Sequence, residues 1–207
     1  MILQIGFLAM LLPAAIVMAQ DEVTPAPEPD DTAESTPVYT PLSLGENYSY
    51  AVSRMFNVPT LLSIAGRAAV DHVTRDPAGW GSTSEAYALQ FASRFGRVVV
   101  RENVAFGVRA LDGEDPRYAR SGKGGFWKRT GYATGHTFAV RNRHGGLMPA
   151  WSVLISNYTT PFIAQQWRPD GTLGGRELRG GSMGVGLAVT RNLYQEFWPD
   201  VLKRFHR

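Results

Sequence analysis

The chain contains no cysteine. That excludes a disulfide scaffold, a thiolate metal centre, a cysteine nucleophile and a lipid anchor on cysteine. Lys and Arg are missing from the first 42 residues, which carry six acids: Asp21, Glu22, Glu28, Asp30, Asp31 and Glu34. The rest of the chain holds all 21 bases against 12 of the 18 acids, a net charge of +9 hidden behind a whole-chain value of +3. Metal and nucleotide motifs are also missing. The four histidines (His72, His136, His144, His206) are scattered, with no pair four apart and no H-E-x-x-H, so no metal or cofactor is implied. Ser121-Gly122-Lys123 has Arg117 where a phosphate loop needs its first Gly, and no Ser or Thr follows Lys123.

Apolar residues are not scarce, at 44% of 207 residues. This suits one globular core and excludes wholesale disorder. It is too little chain for two domains once the ends are trimmed. Ile2 to Ala19 is apolar except for Gln4 and ends in Val17-Met18-Ala19, the small-x-small pattern of a signal-peptidase site. Residues 1–19 therefore read as a cleaved signal peptide, although the segment before the apolar run lacks Lys and Arg. Residues 20–42 hold Pro25, Pro27, Pro29, Pro37 and Pro41 among the acids and read as a disordered, solvated linker. Residues 43–207 form the single basic domain. Export without cysteine points to a bacterial envelope. The sequons at Asn47 and Asn157 matter only in a eukaryotic host.

The domain reads as mainly α, a bundle of about five helices. Asn57-Val58-Pro59 opens the first, with Pro in the first turn, and Asp76-Pro77 stops it. Ser82 and Glu85 fit a capping box before a stripe that runs from Ala88 to about Leu111, interrupted by Glu102 and Asn103 and ended by Asp112-Gly113 and Asp115-Pro116. Phe126 to Arg141, Leu147 to Trp167 and Arg179 to His206 follow, the last with a kink expected at Pro199. Small residues recur four apart in Ala65/Ala69, Gly131/Gly135, Ser152/Ser156/Thr160/Ala164 and Gly180/Gly184/Ala188, which lets helices approach closely. Two membrane alternatives compete. Leu147–Trp167 has 21 residues without a charge, near span length, but seven of them are polar. An outer-membrane barrel would use a hairpin around Arg143-His144-Gly145-Gly146, against a helix period over Ser82–Leu111 that lacks hairpin turns.

Gly180-Gly181-Ser182-Met183-Gly184 matches the G-x-S-x-G nucleophile elbow but lacks the buried strand that must precede it. The densest polar cluster is basic and aromatic: Arg117, Arg120, Lys123, Trp127, Lys128 and Arg129. Guanidinium and ammonium groups beside aromatic rings can hold anionic groups, here an anionic membrane lipid or a cell-wall polymer. Export argues against nucleic acid. The competing reading is a structural loop whose bases pair with local acids. The words Asp115-Pro116-Arg117-Tyr118, Gly125-Phe126-Trp127-Lys128-Arg129, Thr137-Phe138-Ala139-Val140-Arg141 and Glu196-Phe197-Trp198-Pro199-Asp200 are similar to those of an uncharacterised family of exported bacterial proteins. The resemblance covers roughly residues 75–207. It implies an envelope setting and transfers no catalytic residue. The expected role is structural or binding, with an envelope hydrolase using Glu102 or Asp115 as the alternative. A buried Glu102 in a cleft with a raised pKa would favour the enzyme, and a Glu102 paired with a nearby Arg, with no cleft, would favour the binding or structural protein.

Overall fold

Ser43 starts the first helix by a reciprocal cap: the Glu46 N–H donates to Ser43 Oγ at 3.3 Å, and the Ser43 N–H donates to Glu46 Oε2 at 2.8 Å. The computed structural model of the chain describes residues 40–121, 124–169 and 175–205. The segments read as a signal peptide and, as far as residue 39, as an acidic linker lie outside the described residues, as does Lys123. The described residues build six α-helices and one two-stranded hairpin.

Helix α1 (Leu44–Phe56) is one more than the periodicity suggests. Helix α2 (Val58–Thr74) starts where expected, capped by Asn57, whose Oδ1 accepts from the Thr60 N–H at 2.8 Å. Helix α3 (Ser84–Asp112) runs unbroken through Glu102 and Asn103. Its cap is Thr83, accepting from the Ala86 N–H, one residue past the expected Ser82/Glu85 box. It closes on Gly113 at φ 78°, a conformation that favours glycine. A Cβ there would also lie 2.8 Å from Nε of Arg143.

Helix α4 (Phe126–Gly135) stops six residues short of the expected Arg141. Strands β1 (Ala139–Arg141) and β2 (Leu147–Pro149) pair antiparallel instead, with Val140 opposite Met148. The hairpin turn that the barrel reading needed exists, but the residues around it are helical where a barrel requires strands. Helix α5 (Trp151–Ala164) is correspondingly shorter than Leu147–Trp167, because Leu147–Pro149 belongs to β2 and Gln165–Trp167 is a 3-10 turn. Its 14 residues span about 21 Å. No helix among the described residues is long and apolar enough to cross a membrane. Helix α6 (Gly175–Phe205) contains Pro199 and includes the whole Gly180–Gly184 match.

Helix α3 packs on α1, α2 and α5; α5 and α4 each pack on α6. Two of the small-residue rows make close contacts. Ser152, Ser156, Thr160 and Ala164 are all buried. A Cβ on Gly184 would strike the Asn157 side chain, and one on Gly181 the Tyr158 ring. Gly131, Gly135 and Ala69 are exposed, so those rows have no such role. Both sequon asparagines are buried, and Asn47 accepts from Arg109 Nε at 2.8 Å.

The interior is unusually polar. The buried apolar residues are mostly alanines, whereas Gln90 and Glu196 are the largest fully buried side chains. Large apolar groups instead lie outside: Leu62, Val73, Trp151, Met183, Tyr194 and Trp198 are all exposed.

Candidate anion site

Three of the four sequence words named above meet in one knot. Glu196, fully buried, accepts from the Tyr118 hydroxyl at 2.9 Å, the Ser121 N–H at 3.0 Å and Arg129 Nε at 2.8 Å. The Glu196 carbonyl accepts from Arg120 Nε and Arg129 Nη2, and both guanidiniums also pair with Asp200. Hydrogen bonds from Arg120 and Arg129 hold the Asp200 carboxyl below the usual carboxylate range. Burial and Glu196 push the Tyr118 phenol up. Arg129 also lies over the Phe197 ring, 4.6 Å from its centre. The Asp115 N–H donates to the Arg141 carbonyl at 2.8 Å, and Asn192 Nδ2 donates to Thr137 Oγ1 at 2.9 Å.

This places the basic cluster read from sequence. Arg120 and Arg129 are engaged by the knot, and Arg117 forks onto Asp115 at 2.6–3.0 Å. Lys128 and Trp127 are exposed, Trp127 by 82%. These five side chains are neighbours along one loop and helix start; Arg117 is balanced by nearby Asp115, and Arg120 and Arg129 by Glu196 and Asp200 of α6.

A denser concentration of positive charge lies inside the bundle. A cavity of about 550 Å³ opens between α2, α3, α5 and α6, with α1 contributing Arg54. Helix α3 supplies Arg94, Arg97, Arg101 and Arg109 to its wall; Arg67, Arg168 and Arg191 come from α2, the segment after α5, and α6. Among the described residues, eight arginines face three carboxylates there, Asp76, Glu102 and Glu177. Counting Asp71, which pairs with Arg94 at 2.6 Å, still leaves a surplus of four positive charges.

The pairing is uneven. Glu102 serves Arg54 at 3.3 Å and Arg101 at 3.0 Å, and Arg168 pairs with Asp76 at 3.1 Å. Arg109 is buried with Nη2 unpartnered, and Nε of Arg191 has no partner among the described residues. Arg67 makes no hydrogen bond or ion pair among the described residues. Burial pulls the Arg191 guanidinium down to about 10, and the nearby Arg54 adds to this. Burial also lowers Arg101 and Arg109. Packing like charges away from water is costly unless an anion compensates. Planar guanidiniums match the oxygens of phosphate and carboxylate.

Glu102 fits neither sequence condition whole. It is buried in a cleft, yet two guanidiniums hold it as their counter-ion. Asp115 is likewise buried and forked by Arg117. Ser182 lies inside α6, where its Oγ donates to the Leu178 carbonyl, so the G-x-S-x-G match has no strand–turn geometry. The cavity itself escaped the sequence reading. Its signal was the spacing of Arg94, Arg97, Arg101 and Arg109, which fall within about 120° of the α3 circumference at 100° per residue. No family model, curated protein or solved structure matches this chain.

Proposed function

We propose that this is an exported cell-envelope protein that binds an anionic ligand, with residues 1–19 as its signal peptide and the acidic segment to residue 42 as a tether. The resemblance to exported bacterial proteins supports the setting, and the candidate ligands are anionic lipid or cell-wall polymer. The observation that carries the binding role is the surplus of guanidiniums lining the cavity, Arg109 buried and the others half-buried. An envelope hydrolase is the second reading, favoured by the burial of Glu102 in that cavity; its double pairing with Arg54 and Arg101 fits a counter-ion better.

Calorimetric titration with inorganic pyrophosphate at low salt tests the assignment. Arg67→Ala, at a half-buried side chain with no partner to strand, is expected to weaken binding tenfold or more. The pair Arg117→Ala and Lys128→Ala is expected to leave it within twofold. The opposite pattern would move the site to the surface cluster, and no binding by the folded wild type would refute the anion role.

A further inference from the structure

An anion seat can take a free ion, a polymer or the head of a lipid, and the rim of this cavity separates them. Met183 and Leu187 line the cavity and are also exposed, by 60% and 41%. Beyond them on α6 stand Tyr194, Trp198 and Val201, each at least 40% exposed. At 100° per residue the five positions fall within about 60° of one another. They lie along one face, as a stripe over about 27 Å, with exposed Thr190 between Leu187 and Tyr194. Tyr194 and Trp198 stack at 4.9 Å and form a flat patch on it. The stripe is longer than the roughly 15 Å half-thickness of a bilayer's hydrocarbon core. Its first two residues line the charged cavity.

We propose that the ligand is an amphiphile, a phosphate-headed lipid. Its head occupies the cavity beside Arg67, Arg109 and Arg191. Its hydrocarbon chain leaves across Met183 and Leu187 and lies along the α6 stripe. The proposal rests on the anion reading of the same cavity. Its physical basis is continuity: Met183 and Leu187 belong both to the charged cavity and to the exposed apolar face. A free ion or a sugar polymer would leave that face in water.

The test compares three water-soluble probes on the full chain by calorimetry: inorganic phosphate, dihexanoyl phosphatidic acid and dihexanoyl phosphatidylcholine. Phosphatidic acid is expected to bind at least tenfold more tightly than phosphate and than phosphatidylcholine. The double variant Met183→Ser, Leu187→Ser changes only exposed side chains. It should bring the ratio of phosphatidic acid affinity to phosphate affinity, both measured on that variant, close to one. Equal affinity for phosphate and phosphatidic acid would overturn the lipid inference and keep the anion site. Phosphatidic acid binding that ignores Arg67→Ala, with no phosphate binding, would overturn both. A dimer in sedimentation that the double variant disrupts, without any lipid gain, would give the stripe to a second copy of the chain and overturn the proposal.

Discussion

Glu114 illustrates how burial changes what one residue does. It follows the Gly113 cap of α3, is almost fully buried, and accepts the Ser152 N–H at 2.9 Å. Helix α5 has no side-chain cap of its own at Ala150, so this distant carboxyl supplies an acceptor for its first turn. Burial raises the Glu114 carboxyl to about 7, while the Ser152 hydrogen bonds pull the other way. The folded chain therefore keeps a proton between about pH 4.5 and 7 that the unfolded chain releases. The associated stability is full below that window and is lost as pH rises through it, by roughly 1–3 kcal/mol. Glu114→Gln keeps an acceptor but cannot ionise. Urea unfolding at pH 5 and pH 7.5 should show the wild type losing stability relative to this variant. A gap that does not change with pH would contradict the assignment. Residue types were legible in the sequence; their partners were not. Arg129 meets Glu196 across 67 positions, a separation at which local charge patterns carry no information. Of the cluster read as a candidate anion site or a structural loop, Arg117, Arg120 and Arg129 pair with carboxylates while Trp127 and Lys128 are exposed.

Helices were the legible elements, because an apolar or small-residue period survives without knowledge of the tertiary fold. Helix α1 escaped although Ser43 and Glu46 spell its capping box. Helix α4 was drawn too long because Thr137 to Arg141 suits helix and strand alike, and only pairing with β2 decides between them. The small-residue rows were legible as a pattern but not as a choice among rows. Along α6, glycines two residues apart differ sharply in surroundings. A Cβ at Gly184 would lie 2.9 Å from Asn157 Cγ, whereas one at Gly186 meets nothing within 4 Å. Gly184→Ala is therefore expected to destabilise by about 1–3 kcal/mol through overpacking. Gly186→Ala should be neutral or stabilise by up to about 1 kcal/mol through helix propensity. Thermal unfolding of the two variants checks the opposite signs, and equal effects would refute the close α5–α6 contact.

At the scale of the whole molecule, the polarity of inside and outside is partly exchanged. Arginine and glutamate occupy the bundle interior while tryptophan, phenylalanine and leucine face out. The +9 charge of the basic domain was readable from composition, but its location was not. Charge counts carry no geometry, and an arginine stripe on a helix looks like an ordinary solvated face until the neighbouring helices are placed. An exterior of this kind fits the proposed contact with lipid, and an interior of this kind fits the proposed anion. The most direct measurement is diffraction from crystals soaked in tungstate, an anomalous scatterer with the shape and charge of a phosphate-like anion. The account predicts an anomalous peak inside the cavity, in contact with the guanidiniums of Arg67, Arg109 and Arg191. An empty cavity, with tungstate bound only at Arg117 and Lys128 on the surface, would contradict it.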